Sequence, residues 1–126
     1  MSDTLHGRTV LLVEDEFMIL LDLQFLFEGA GAKTVTASTL ADGFEAAETP
    51  VDVAVLDVRL PDGEVYPLAH KLAERDVPLV FHSGHAQKEA LAADFPQAVA
   101  LNKPAQERML MDAVARQAGR RGEAAT

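Results

Sequence analysis

The chain has 126 residues, of which 48% are hydrophobic and 25% charged, a balance typical of one soluble globular domain. It has no cysteine, which excludes disulfides and thiolate metal sites, and its net charge of −9 argues against binding to the phosphate backbone of nucleic acids. No apolar run reaches the ~20 residues of a membrane span and the first residues lack the apolar core of a signal peptide, so we expect a cytoplasmic protein without membrane contact.

Short apolar runs alternate along the chain with segments of helical length. The predicted strands are 9–15, 33–37, 51–57, 77–84 and 98–102. The predicted helices are 16–31, 38–50, 64–76, 86–95 and 105–119. Residues 1–8 are predicted to be an N-terminal extension, and residues 120–126 a disordered tail. Five strand–helix repeats predict one doubly wound α/β domain over residues 9–119, with a parallel sheet and helices on both faces.

Capping and breaking residues mark the helix boundaries. Gly29 and Gly31 suit the end of the first helix, and Ser38 is a candidate N-cap for the second, which must end before Pro50. The first helix has apolar residues on two sides: Phe17, Leu21 and Phe25 on one, and Ile19, Leu23 and Leu26 on the other. One side must pack on the sheet, and the remainder is either covered by neighbouring helices or exposed as a partner site.

The ends of the predicted strands carry reactive and charged groups. Glu14 and Asp15 end the first strand, Asp57 ends the third, Ser83 lies at the end of the fourth, and Lys103 follows the fifth. In doubly wound sheets the carboxyl ends of the strands form the ligand site. Three carboxylates there would repel one another, and an ionised Asp57 after an apolar run needs a compensating charge. Oxygen ligands without His or Cys predict Mg²⁺, or Mn²⁺, acting together with the Lys103 ammonium.

This combination of groups predicts covalent chemistry at Asp57. A carboxylate beside a cation, a lysine and a small hydroxyl can attack a phosphoryl group and hold it as an aspartyl phosphate. The metal and Lys103 would neutralise charge on the transferring oxygens, and Ser83 would donate a hydrogen bond to one of them. Taken alone, the acidic pair fits a strand end that faces water, and Ser83 fits an ordinary turn. The prediction therefore rests on all of them occurring in this order.

Residues 9–119 resemble the receiver domain of response regulators, the CheY-like fold. The resemblance rests on the acidic pair after the first strand, on the segment DVRLPDG, on the hydroxyl after the fourth strand and on Lys103–Pro104 after the fifth. It implies a flavodoxin-like five-stranded sheet in the order 2-1-3-4-5 with five helices.

The resemblance also implies a set of site residues. Asp57 is the expected phosphoacceptor, with Ser83 and Lys103 assisting the transfer. The expected Mg²⁺ ligands are Glu14, Asp15, Asp57 and the backbone carbonyl of Arg59. The Lys103–Pro104 peptide bond is expected to be cis, a state that is accessible because Pro follows.

Two departures from the family pattern bear on signalling. Receivers usually carry a Tyr or Phe three residues before the lysine, whose inward swing reports phosphorylation, and this chain has Ala100 there. The stretch PLVFHSGH resembles an atypical subclass with a Pro-Phe-x-Phe-Ala-Thr-Gly-like fourth strand: Pro78, Phe81, Ser83 and Gly84 match, whereas Leu79 and His82 do not. We therefore expect the loop and helix after Ser83 to carry the signal. His82 is expected to be packed and hydrogen-bonded. His85 either covers the phosphoryl group, senses pH or lies on the surface and does neither.

The sequence thus predicts a stand-alone response-regulator receiver and not an enzyme. A sensor histidine kinase or a histidine phosphotransfer protein would phosphorylate it, and it would contact an unknown downstream protein or relay the phosphoryl group. Only one helix and the tail follow Lys103, which is too little for a DNA-binding module. Two alternatives stay open. One is a degenerate receiver that only binds a partner, and the other is an Asp-nucleophile phosphatase, which would need a second Asp where this chain has Arg59.

Overall fold

The computed structural model describes residues 4–84 and 88–124. The strands in these residues are β1 (Thr9–Val13), β2 (Lys33–Ala37), β3 (Val53–Leu56), β4 (Arg59–Leu60), β5 (Gly63–Glu64), β6 (Leu79–Ser83) and β7 (Val99–Asn102). The helices are α1 (Phe17–Gly29), α2 (Leu40–Ala46), α3 (Tyr66–Glu74), α4 (Lys88–Asp94) and α5 (Glu107–Ala124).

The five longer strands form one parallel sheet in the order β2-β1-β3-β6-β7. Counted without the two short strands, this is the order 2-1-3-4-5, so the predicted fold is confirmed. β3 lies at the centre and is buried along its whole length, as expected of a parallel strand covered on both faces. In the register, Leu56 of β3 lies beside Val13 of β1 and Phe81 of β6. The carboxyl ends of these three strands therefore meet at one edge of the sheet.

Helices cover both faces of this sheet and build two apolar clusters. α2, α3 and α4 pack over one face, in a cluster that includes Leu68 and Phe81. α1 and α5 pack over the other face, in a cluster that includes Phe27, Val80 and Val114. Successive residues of a strand point to opposite faces, so each apolar run of the sequence contributes to both clusters. The polar residues that follow these runs are left at the rim of the sheet.

A short antiparallel hairpin, made of β4 and β5, follows β3 in the segment between the third predicted strand and the third predicted helix. Its turn contains Asp62 and Gly63, and Gly63 has a φ of +143°, a conformation that glycine adopts readily. The backbone then returns to β3, because the amide of Val65 donates a hydrogen bond of 2.9 Å to the carbonyl of Val58. The hairpin therefore closes the loop that leaves Asp57.

Two side chains satisfy the free N–H groups at the start of α2. The Asp62 carboxylate accepts hydrogen bonds from the amides of Leu40 and Ala41 at 2.7 and 3.0 Å. The N-cap is Thr39, whose hydroxyl accepts a hydrogen bond of 3.0 Å from the amide three residues later. The predicted N-cap Ser38 is wrong because the hydroxyl that reaches this amide belongs to the next residue. The other two hydrogen bonds of the cap come from Asp62, which is distant in the sequence.

The last helix is longer than predicted. α5 continues past Gly119 to Ala124. The guanidinium of Arg120 donates hydrogen bonds to the carbonyl of Gln97 at 2.6 Å and to the side-chain oxygen of Gln117 at 3.2 Å. These contacts hold Arg120 against the domain, and α5 continues to Ala124 where the sequence predicts a tail. Residues 125 and 126 lie outside the described residues.

Part of the predicted N-terminal extension also packs on the domain. Leu5 is fully buried in the cluster under α1 and α5, and its amide donates a hydrogen bond of 2.9 Å to the carbonyl of Ala30. Leu5 thus covers the end of α1. Across the described ranges, no helix has both the length and the apolar character needed to cross a membrane.

Candidate functional site

The predicted site residues lie together at the carboxyl edge of the sheet. Glu14 and Asp15 follow β1, Asp57 follows β3, and Ser83 ends β6. Lys103 follows β7, and its amide donates a hydrogen bond of 3.2 Å to the Ser83 carbonyl. The parallel register brings these residues together, because it aligns strand ends that are far apart in the sequence.

The Lys103 ammonium compensates the charge of Asp57. Its Nζ lies 2.6 Å from Oε1 of Glu14 and 3.0 Å from Oδ2 of Asp57. Glu14 is only 2% exposed and Asp57 6%, so each carboxylate has lost most of its hydration. Removing a charge from water is costly unless an opposite charge and hydrogen bonds replace the water. Lys103 supplies both to the two acids at once.

Glu16 is a member of the site that the sequence reasoning missed. Its carboxylate Oε1 lies 3.4 Å from Nζ of Lys103, and its amide donates a hydrogen bond of 3.1 Å to Oε2 of Glu14. Carboxylate oxygens of Glu14, Asp15 and Glu16 lie within 4.8 Å of one another. The signal was available in the sequence, because Glu14, Asp15 and Glu16 are three consecutive acids after a buried strand. Asp57 is joined to this acidic cluster through Lys103.

The backbone after Asp57 also faces the carboxylate. The amide of Arg59 lies 3.4 Å from Oδ1 of Asp57, which brings β4 against the site. A metal ligand at the Arg59 carbonyl stays a prediction. The Lys103–Pro104 peptide bond is cis, as predicted. His85 lies outside the described residues, so its predicted alternatives stay open.

Comparison with known proteins agrees with this geometry. The family profile described as the response regulator receiver domain matches residues 10–115. The chain belongs to this family. No match was found among curated proteins. The matched range includes the acidic cluster, Asp57, Ser83 and Lys103.

Solved structures of receivers share the whole fold. A response regulator receiver protein from Sinorhizobium medicae is 28% identical, with a TM-score of 0.82 over 90% of this chain and 96% of that one. A sensor protein from Polaromonas sp. is 26% identical, with a TM-score of 0.79 over 91% of this chain and 98% of that one. The receiver domain of a sensor histidine kinase from Pseudomonas aeruginosa, which has a magnesium ion coordinated in its active-site cleft, is 21% identical with a TM-score of 0.75 over 90% and 98%.

Burial changes the protonation of the receiver's acidic pocket. Desolvation raises the pKa of the Glu14 carboxyl from 4.5 to about 7, although hydrogen bonds from Lys103 and the Glu16 amide act in the opposite direction. Burial lowers the pKa of the Lys103 ammonium, but its hydrogen bonds to Glu14 and Asp57 outweigh burial and the net pKa is raised. Lys103 therefore remains charged near neutral pH, whereas Glu14 binds a proton at a higher pH than an ordinary carboxyl does.

His82 is a buried polar residue next to this pocket. It is 5% exposed, and neither ring nitrogen has a hydrogen-bond partner among the described residues. The prediction of a hydrogen-bonded His82 is therefore wrong, whereas the prediction of a packed side chain is confirmed. Burial, and secondarily the charge of Lys103, lowers the pKa of its imidazole. A neutral ring is the form that low-dielectric surroundings favour.

The two sides of α1 have different environments. Leu23 and Phe27 are buried against the sheet, which confirms that one side packs on the core. Phe17, Met18 and Phe25 are 70%, 66% and 71% exposed. The described part of α1 thus carries an exposed apolar face directly after the acidic cluster.

The raised pKa of Glu14 predicts a pH-dependent stability. A carboxyl whose pKa is higher in the folded than in the unfolded protein binds more protons when folded, so its contribution to the free energy of unfolding falls as the pH rises from 4.5 to about 7. Glu14→Gln removes this contribution. In EDTA, urea denaturation should therefore show that the free energy of unfolding of Glu14→Gln, minus that of the wild type, rises across this range.

Subtracting the free energy of unfolding of the wild type from that of Glu14→Gln cancels the contribution of His82, which has the opposite pH dependence. Its lowered pKa stabilises the fold above the ordinary pKa of histidine, and this stability is lost as the pH falls, in both proteins alike. Glu74→Gln, which changes an exposed acid on α3, is the control for the removal of a surface carboxylate. A constant difference for Glu14→Gln would contradict the raised pKa.

Proposed function

We propose that this receiver accepts a phosphoryl group on Asp57 in a two-component phosphorelay. The observation that carries the proposal is the contact of Lys103 with both Asp57 and Glu14, which places a cation against a buried carboxylate that could act as a nucleophile. An oxygen of Asp57 would form the new bond to phosphorus while the bond from phosphorus to a histidine nitrogen of the donor breaks, and the donor keeps that electron pair. The product is an aspartyl phosphate.

Lys103 and Ser83 have separate roles in the proposed transfer. Negative charge spreads over the oxygens of the moving phosphoryl group, so catalysis depends on positioned cations and hydrogen-bond donors. The Lys103 ammonium, 3.0 Å from Oδ2 of Asp57, would pair with one of these oxygens. The Ser83 hydroxyl, at the end of the neighbouring strand β6, would donate a hydrogen bond to another.

The donor set suits Mg²⁺ as the cofactor, and Mn²⁺ has the same preference for oxygen. The oxygens of Glu14, Asp15 and Glu16 lie within 4.8 Å of one another, and hard oxygen ligands select such cations. We propose Asp15, Asp57 and the Arg59 carbonyl as direct ligands, with Glu14 acting through water. The bound cation would supply positive charge to the phosphoryl oxygens. The magnesium ion in the active-site cleft of the Pseudomonas aeruginosa receiver supports the choice of cation.

The proposed donor is a sensor histidine kinase or a histidine phosphotransfer protein, which would dock on α1. Phe17 and Met18 begin α1 directly after Glu16 of the acidic cluster, so a partner seated on them would bring its phosphohistidine over Asp57. An exposed apolar patch of this kind favours protein contact. Signalling to a downstream protein, the stand-alone role and the cytoplasmic location stay predictions from the sequence.

The two alternatives differ from this proposal in what they require. A degenerate receiver would not need a lysine joined to two buried acids. A phosphatase of the Asp-nucleophile type would need a general acid two residues after the nucleophile, and Arg59 occupies that position. Sustained turnover of a phosphomonoester would favour the phosphatase, and absence of any covalent phosphate would favour the degenerate receiver.

Acetyl phosphate tests the proposed phosphoacceptor. With Mg²⁺ and acetyl phosphate, intact-protein mass spectrometry should show the wild type gaining one phosphoryl group. Asp57→Asn should gain none, because an amide is not a nucleophile for this transfer. Asp52→Asn is a matched control, since Asp52 is an acid at the opposite end of β3 that binds the Thr9 amide at 2.8 Å. Equal labelling of the Asp57 variant would contradict the assignment.

Metal titration tests the proposed ligands. Asp15→Asn should weaken Mg²⁺ binding by at least about tenfold, because a charged ligand becomes neutral. Mg²⁺ at saturating concentration should raise the melting temperature of the wild type, since it binds only the folded state, and should raise that of Asp15→Asn much less. The control Glu74→Gln should respond like the wild type. Identical affinities for Asp15→Asn and the wild type would remove Asp15 from the site.

Substitution on α1 tests the proposed docking face. Phe17→Ala should slow transfer from a phosphorylated histidine phosphotransfer domain by roughly tenfold, because a large apolar contact is lost. Labelling by acetyl phosphate should be unchanged, since a small donor needs no docking surface. Loss of both reactions would indicate damage to the site, and loss of neither would place the partner elsewhere.

A further inference from the structure

The small side chain of Ala100 leaves an apolar cavity beneath α4. The cavity has a volume of about 200 Å³ and is lined entirely by apolar side chains: Phe81, Leu91, Ala92, Phe95, Ala98 and Ala100. Ala100 lies beside Phe81 in the register of β6 and β7. The cavity is therefore built between the last two strands of the sheet and the helix that follows Ser83.

Phe95 lines both this cavity and a larger one. Its ring packs against Phe81, with ring centroids 5.3 Å apart, and against His70 of α3, with centroids 4.6 Å apart. The larger cavity has a volume of about 360 Å³ and is also lined by Val77 and Pro78. Phe95 thus borders unfilled volume in two cavities, whereas protein interiors are normally filled.

We propose that the Phe95 ring moves into the smaller cavity when Asp57 is phosphorylated, and so takes the part of the aromatic side chain that the chain lacks at Ala100. The proposal rests on the function proposed above. The space is sufficient, because an apolar cavity of ~150 Å³ can hold a benzene molecule. The ring would exchange its contact with His70 for contacts with Leu91 and Ala100.

The connection from Asp57 to Phe95 runs through β6. Ser83 ends this strand, and its carbonyl accepts the hydrogen bond from the Lys103 amide at 3.2 Å. Phe81 lies two residues before Ser83 and carries the ring on which Phe95 packs. A displacement of Ser83 and Lys103 toward a phosphoryl group would therefore move the wall of the cavity. Phe95 can follow, because it lies just beyond the end of α4, of which seven residues are described.

Ring NMR with a phosphoryl mimic tests this proposal. The probe is protein containing phenylalanine ¹³C-labelled in the ring, whose six signals include one assigned to Phe95 by its loss in Phe95→Leu. Beryllium trifluoride with Mg²⁺ should shift the Phe95 signal, and the His70 ring proton signal should lose its ring-current shift. The exposed Phe25 should keep its signal.

Filling the cavity provides the matched variant. In Ala100→Leu the new side chain occupies the space, so the Phe95 and His70 signals should no longer respond, while the amide signals of Ser83 and Lys103 still report binding of the mimic. Ala115→Leu, at a partly buried alanine of α5 on the other face of the sheet, should retain the full response.

The outcomes separate this proposal from the one on which it rests. A wild type that is phosphorylated by acetyl phosphate but whose Phe95 and His70 signals stay in place would overturn the role of Phe95 alone. A wild type that gains no phosphoryl group would overturn the phosphoacceptor and the ring movement together. If circular dichroism shows that Ala100→Leu is unfolded, the wild-type signals decide the question.

Discussion

The contact of one ammonium group with two buried carboxylates is the constraint around which this site is built. Neighbouring strands lie about 5 Å apart, so Lys103 must cross β6 to reach Asp57 at the end of β3. Only a long side chain can do this, and the residue at the end of β6 that it passes, Ser83, is small. The three positions therefore fit one another sterically as well as electrostatically. Glu14 and Asp57 can remain in a desolvated pocket because Lys103 reaches both.

The buried polar residues lie in two parts of the fold. Among the described residues, four lie at the carboxyl edge of the sheet: Glu14, Asp57, His82 and Ser83. The fifth, Gln117, lies on α5 and donates hydrogen bonds of 2.9 Å to the carbonyls of Leu79 and Gln97. Its amide joins α5 to the sheet and to the loop before β7. Glu14 instead lies close to the exposed acids Asp15 and Glu16, and a bound cation would reduce the repulsion among these carboxylates.

The sequence predicts those features that depend on local pattern. Apolar runs and helix-stop residues were enough for the sheet, its helices and the edge that collects Asp57 and Lys103. The features it missed depend on contacts between distant segments. Asp62 reaches the start of α2, Leu5 reaches the end of α1, and Arg120 extends α5 by binding the Gln97 carbonyl. The hydrophobic periodicity of a single segment does not predict contacts between segments that are far apart in the sequence. The role of Glu16 is an intermediate case, since the run of acids was visible and only its contact with Lys103 was not.

The Asp62 carboxylate also joins the hairpin after Asp57 to a helix. It accepts hydrogen bonds from the start of α2 at 2.7 and 3.0 Å, and the hairpin that carries it is closed by the hydrogen bond from the Val65 amide to the Val58 carbonyl. The segment that leaves Asp57 is thus tied at two points. A substitution that removes the Asp62 carboxylate would therefore act twice, by weakening the cap of α2 and by loosening the loop beside the candidate site.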